Sequence, residues 1–425
     1  MPSLRKISEE LWTGVLSTAQ PDHHPFAAYD TTEEVADGVA FYKDFVNVTG
    51  VRTGEGLALI DTGSYHPIQH TRSHRGIRGL ITEPLHTAIY THGHVDHAYG
   101  LPPYLAELAE AGRPRPRVVG HEGIAPRMER YVETQGYNSI INSRQFGIPI
   151  QWPTEFVRPT ICYRESLDLR VGDTEIRLFH TRGETDDHTW AWLPATRVLC
   201  TGDLFIWSCP NAGNPQKVQR YAADWAQGLR RMAALDPEVL LPGHGVPIFG
   251  AARVREALSN TATYLESLYQ QTLSLMNQGA RIYEIVQQVE PPSELAELPY
   301  LRPVYDEPEF IVRNIVRHLG GWYSGVPSEL QPAPRVEQAR EIVALAGGLE
   351  RLVERARVCA ESGDLALASH LVDWACDAAP DSGEVHALRA QIYSRRAEAA
   401  TSTMARGVYS GAARESGQGA QSSDS

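Results

Sequence analysis

Apolar positions in the first 250 residues come in short runs bounded by glycine, proline, asparagine or aspartate, the pattern of strands joined by tight turns. From Val39 to Val51 they recur as in a strand, and Gly54-Glu55-Gly56 then makes a turn into Leu57-Ala58-Leu59-Ile60, which ends in Asp61-Thr62-Gly63. Leu85 to Tyr90 is a second buried run, Arg117 to Gly120 a short third, and Thr174 to His180 a fourth after the Val171-Gly172-Asp173 turn. Val198 to Phe205 and Val239 to Leu241 complete the set, the latter running into Pro242-Gly243-His244-Gly245. Helical spacing appears between strands at Leu101–Ala111, and residues 122–147 mix helix and loop character. Residues 1–35, with Pro21, His23, His24 and Pro25, form an irregular lead-in to which no chemistry is assigned.

Beyond residue 250 the period changes. Val254, Leu258, Leu265, Leu268 and Leu275 fall at helical spacing and Asn277-Gln278-Gly279 is a helix stop, with further helices to follow. Residues 410–425 are rich in glycine, serine, alanine and glutamine, so a disordered tail is expected over 409–425. Length and an ordinary apolar fraction fit a multidomain globular chain. The formal charge of −13 argues against a nucleic-acid partner, which would need clustered lysine and arginine. The cysteines at 162, 200, 209, 359 and 376 form no Cys-x-x-Cys pair and suggest neither disulfides nor a thiolate site. With no signal-peptide core and no run long enough to span a bilayer, a cytoplasmic location is the default.

The candidate chemistry sits after the second buried run, at His92-x-His94-x-Asp96-His97. Residues two apart leave a strand end pointing the same way, so His92 and His94 can share one ion while Asp96 and His97, on the next turn, serve another. Imidazole suits zinc, and a nearby carboxylate gives a site with room for water.

This cluster resembles the signature of the metallo-β-lactamase superfamily. The resemblance implies an αββα sandwich, two metal ions and a ligand set spread over several strand ends. On it, His92, His94 and His188 hold one metal, and Asp96, His97 and His244 the other. Asp203 lies between them, and Asp96 and Asp203 are the catalytic carboxylates. Asp61 orients ligands from behind, and Glu184 and Asp187 are lesser candidates. Zinc, two per chain, is the expected cofactor, with iron or manganese also compatible. The reaction implied is hydrolysis of a small-molecule ester by water activated between the metals.

The segments 269–279, 319–325 and 334–339 are similar to the helical dimerisation domain of bacterial alkyl sulfatases, which implies a homodimer and a sulfate ester as substrate. Residues 363–390 resemble a tetratricopeptide-like helical hairpin, read as a packing element. The expected organisation is thus a lead-in (1–35), a metallo-β-lactamase catalytic domain (36–250), an all-α dimerisation domain (251–408) and the tail (409–425). Arg144, beside Asn142, offers a planar fork to a sulfate or carboxylate, or else forms a surface ion pair. Trp207, Asn211 and Asn214 are pocket candidates, Trp207 equally a core one. Alkyl sulfatases of the best-known type use glutamates where this chain has His188 and Asp203, and carry histidine where it has Leu204 to Pro215. His188 therefore keeps a carboxyl-ester, lactone or thioester hydrolase, like glyoxalase II, as the alternative. A non-hydrolytic iron module is a third reading.

Overall fold

The computed structural model describes residues 2–422. Its strands form a seven-stranded and a six-stranded sheet. The first runs in sequence order through β1 (Thr31–Ala36), β2 (Val39–Lys43), β3 (Val48–Thr53), β4 (Gly56–Ile60), β5 (Leu85–Ile89), β6 (Arg117–His121) and β7 (Ile161–Tyr163). Tight turns make β1 to β4 an antiparallel meander, whereas β4 to β7 are parallel and joined by crossovers. The second sheet comprises β8 (Ser166–Val171), β9 (Thr174–His180), β10 (Thr189–Leu193), β11 (Val198–Gly202), β12 (Val239–Pro242) and β13 (Ile248–Phe249), laid in the reverse of sequence order. Its only parallel pair among the described strands is β11 with β12.

One apolar core joins the sheets. Phe41, Val51, Ile60 and Ile89 of the first share a cluster with Ile176, Leu178, Trp190 and Leu240 of the second. Strands β2, β4, β10, β11 and β12 are buried along their whole length, which is why they read as continuous rather than alternating runs. The helix predicted after residue 250 spans Ala251–Asn277, and Gly279 at φ +80° supplies the left-handed residue just past its end.

The chain forms two compact units, residues 1–136 with 152–321 and residues 137–151 with 322–425. The boundary expected at 250 therefore moves. Val254, Leu258, Leu265 and Leu268 are fully buried in the same cluster as Trp225 and Leu229 of the helix Ala222–Ala233, so Ala251–Asn277 belongs to the sheet-bearing unit. The other unit is helical. Leu349–Glu361, Leu365–Ala378 and Gly383–Ala399 pack around Leu352, Ala356, Val372, Leu388 and Ile392. Asp364 and Ser382 cap two of these helices by accepting from Leu367 and Val385 amides, each cap contributing about 1 kcal/mol.

The tail differs from expectation. Residues 403–422 form one helix, and residues 423–425 of the expected disordered segment lie outside the described residues. Its glycines are contact points. A Cβ at Gly407 would lie 2.4 Å from the Gln145 carbonyl oxygen, and one at Gly411 would lie 2.6 Å from Arg144 Cγ. Composition that signalled disorder instead lets this helix close on Gln135–Phe146. No helix among the described residues is long and apolar enough to cross a membrane.

Candidate metal centre

Five segments meet where parallel strands end. Asp61 follows β4, the His92–His97 loop follows β5, Asp203 follows β11 and His244 follows β12, while Glu184 lies in the loop between β9 and β10. Carboxyl ends of parallel strands are where such sheets place ligands. Glycines make the approach possible. A Cβ at Gly243 would sit 2.1 Å from Asp203 Oδ1, and one at Gly202, which has φ +51°, would sit 2.6 Å from His188 Cε1.

Two sets of side chains result, His92, His94, Glu184 and Asp203 in one and Asp96, His97 and His244 in the other, with the ligand atoms of each set within 4.8 Å of one another. In the first, His92 Nε2 and His94 Nδ1 are 2.8 Å apart and each lies 3.6 Å from Glu184 Oε2. In the second, His244 Nε2 is 3.3 Å from His97 Nε2 and 3.4 Å from Asp96 Oδ2. Asp203 faces both. Its Oδ2 is 3.4 Å from His244 and 4.0 Å from His92, and its Oδ1 is 3.4 Å from His97.

The far ring nitrogens are already committed. His97 Nδ1 donates to Asp61 at 2.8 Å and His244 Nδ1 to the Phe45 carbonyl at 2.6 Å. The Thr91 hydroxyl donates to Asp61 and so accepts from His92 Nδ1, 2.9 Å away. In each ring this turns Nε2 inward, the arrangement that prepares histidine as a ligand once that nitrogen gives up its proton. Asp61 holds these bonds from a left-handed backbone at φ +59°, strained for a non-glycine residue. Asn47 fixes the last loop through 2.9 Å bonds from Nδ2 to the carbonyls of Pro242 and Gly245.

Charge in the centre follows from burial and crowding. Burial first holds His92 and His94 well below the usual imidazole range, so both are neutral. Burial also opposes charge on His244 and His97, yet the Asp203 and Asp96 carboxylates outweigh it, raising His244 to about 9 and His97 well above its usual value. Burial and the neighbouring Asp203 charge push Glu184 up to about 8. Glu184 Oε2 is buried without a hydrogen-bond partner. Inward-facing imidazole nitrogens, which a bound cation would hold deprotonated, carboxylates and an orphaned buried oxygen form a donor set that fits divalent cations.

The remaining site residues fall elsewhere. His188, expected as the third histidine of the first metal, stacks on His92 with ring centroids 4.6 Å apart, and its Nε2 accepts from the Asp203 amide at 3.2 Å. With that nitrogen turned to the amide, the group of side chains whose ligand atoms converge contains Glu184 and not His188. Asp187 holds the loop instead, accepting from the Gly93 amide at 2.9 Å and from Arg127 Nε at 2.8 Å. Asn211 donates through Nδ2 to Glu184 Oε1. Trp207 is fully buried with Nε1 donating to the Val246 carbonyl, so it is a core residue. Arg144 and Asn142 stand on a helix of the other unit, where Arg144 pairs with Glu415 at 3.8 Å and Asn142 bonds to the Asn138 carbonyl. Sequence reasoning missed Arg220, a buried cation 3.4 Å from Glu184 Oε1 whose Nε donates to the Asn211 carbonyl. Nothing in its polar surroundings marked it as buried.

The model of the metallo-beta-lactamase superfamily matches residues 42–244, and that of alkyl sulfatase dimerisation matches residues 281–419. A linear primary-alkylsulfatase of Pseudomonas sp. is 27% identical over 370 residues, covering 81% of this chain and 69% of the relative. An alkyl/aryl-sulfatase of Saccharomyces cerevisiae is 24% identical over 403 residues, covering 88% and 62%. The solved structure of a stereoselective inverting sec-alkylsulfatase from Pseudomonas sp. superposes with a TM-score of 0.82 at 23% identity, covering 92% of this chain and 66% of that one. The chain thus spans about two thirds of the length of these relatives. It belongs to the metallo-beta-lactamase superfamily, in the branch that joins this domain to an alkyl sulfatase dimerisation domain.

Proposed function

We propose that this protein is a two-metal hydrolase of alkyl sulfate esters, with zinc as its metal, acting as a homodimer through its helical domain. The observation that carries the reading is Asp203 set between two ligand groups, the first of which contains a second carboxylate, Glu184. A carboxylate there matches the glutamate of the alkyl sulfatase pattern. The carboxyl-ester and thioester alternative drew its support from His188 as a ligand, and that support goes with the His188 bond to the Asp203 amide.

Metal ions held by these residues supply Lewis acidity and a nucleophilic water at neutral pH. The chain's own part is arrangement. Asp61 and Thr91 fix the rings of His97 and His92, Arg220 and Asn211 hold Glu184, and His188 holds the amide of Asp203. Burial and the nearby Arg220 push Lys217 down to about 7 against the pull of Asp96 and Glu184, and in its protonated form it would offer the sulfate head a counter-charge.

The test is a matched panel of an alkyl sulfate, a lactone, a thioester and a phosphodiester, each incubated with zinc-loaded protein with and without chelator. Chelator-sensitive release of inorganic sulfate is the expected outcome. Turnover of the carboxyl or thioester members alone would overturn the substrate class, and sedimentation as a monomer would overturn the dimer.

A further inference from the structure

The lead-in, to which the sequence assigned no chemistry, crosses the metal centre as a fixed strap. Lys43, 1% exposed, donates through Nζ to the carbonyls of Ala27 at 2.7 Å, Asp44 at 2.5 Å and Pro25 at 3.2 Å. The Pro25 carbonyl also accepts from the amide of Gly245, the residue after His244, at 2.9 Å. On the other side the His24 Nε2 contacts the Val304 carbonyl at 3.2 Å. Anchored at these points, the strap lays the Phe26 ring on the His244 imidazole with centroids 4.1 Å apart. Phe45 also lies 5.9 Å from His244 and 5.3 Å from Phe26, and Tyr305 backs Phe26 at 4.4 Å, so two aromatic rings adjoin the second ligand set and a third supports them.

Two features show that this wall is more than core packing. Phe26 and Phe45 are only partly buried, unlike the ligands they adjoin, so apolar surface stays open beside the centre. The surroundings of the two ligand sets also differ in character. Arg127 and Arg220 are both felt at His94, and Arg220 lies 3.4 Å from Glu184 Oε1, whereas His244 is bordered by rings. Cations at one end and aromatic surface at the other suit a molecule with an anionic head and a hydrocarbon body.

Resting on the sulfate-ester reading, we propose that Phe26, backed by Phe45 and Tyr305, forms the wall against which the hydrocarbon part of the substrate lies, and so sets preference for chain length. Each methylene moved from water onto an apolar wall tightens binding by about fourfold when fully buried. A wall touched on one side gives roughly twofold per methylene by the same scale.

The experiment measures calorimetric binding of linear alkyl sulfonates from four to ten carbons, which keep the charged head and resist hydrolysis. It uses the zinc-loaded full chain as wild type, Phe26→Ala and Phe26→Leu, with metal content determined for each. Affinity of the wild type rises with each carbon, Phe26→Ala flattens that rise while keeping its metal and its affinity for the shortest member, and Phe26→Leu restores much of it. An unchanged slope in Phe26→Ala would overturn the proposal, as would equal weakening of every member or loss of metal, either of which makes Phe26 a support for His244. Failure of the parent reading looks different. Wild type would then turn over no alkyl sulfate, yet the dependence of sulfonate affinity on chain length, and its loss in Phe26→Ala, would still decide the role of the ring.

Discussion

The proposed exchange of roles between Glu184 and His188 is the sharpest departure from the sequence pattern, and mutation separates the two residues. His188 is fully buried, stacked on His92, and accepts the Asp203 amide. In His188→Ala the orphaned amide costs about 1–3 kcal/mol. The lost ring leaves a cavity of the kind that costs about 3 kcal/mol or more when an aromatic is truncated. Part of the two costs overlaps as the site relaxes, so a fall of roughly 3–5 kcal/mol in unfolding free energy is expected for the metal-free protein. Because no metal-facing atom is removed, the variant still takes up two zinc ions per chain. Glu184→Gln does the reverse. The amide keeps the side-chain shape but loses the charged oxygen that faces His92 and His94 at 3.6 Å. Loss of an outer partner weakens a metal by about 10–100-fold, so loss of a ligand should exceed about 100-fold at that site. Urea unfolding of the metal-free chains and zinc titration by calorimetry read the two effects. A His188→Ala protein that binds one zinc, beside a Glu184→Gln protein that binds two, would refute the assignment.

Other consequences follow from particular contacts. Arg220→Met removes a buried hydrogen-bond partner of Glu184 and of the Asn211 carbonyl and should destabilise the metal-free fold by about 1–3 kcal/mol while weakening zinc by about 10–100-fold, both measurable in the same titrations. Gly243→Ala places a methyl 2.1 Å from Asp203 Oδ1, so it should abolish sulfate release and cost about 1–3 kcal/mol in stability, as thermal unfolding would report. Burial pushes the Asp306 carboxyl up to about 7, against about 3.9 when unfolded, so the folded chain holds this proton more tightly. Its contribution is complete below about pH 4 and is lost as pH rises through 7, worth up to about 4 kcal/mol. Asp306→Asn should flatten the urea-unfolding free energy between those pH values.

Strand ends were readable in the sequence because buried strands demand apolar runs and the residues that stop them cluster. His92 to His97, Asp203 and His244 all follow such runs. The loop from Gly183 to His188 was harder. It carries Glu184, Asp186, Asp187 and His188, and outside a regular strand spacing does not say which of them turns inward; only the placement of Arg220, Asn211 and Arg127 does. Arg144 looked available for substrate because its partner helix lay more than 250 residues away, in a segment whose glycines read as disorder. The strap was hidden for a similar reason. Its anchors are backbone carbonyls, which leave no trace in side-chain pattern, and the lysine that gathers them is the last residue of an otherwise apolar strand.

The residues around Asp203 would hold two metal ions, and the site so loaded is proposed to hydrolyse a sulfate ester. The most direct test of that proposal is the rate of sulfate release from an alkyl sulfate as metal-free protein is titrated with zinc. Turnover should rise with added zinc, reach its plateau at two equivalents per chain and vanish in Asp203→Ala. A plateau at one equivalent, or sulfate release that persists in metal-free protein, would contradict it.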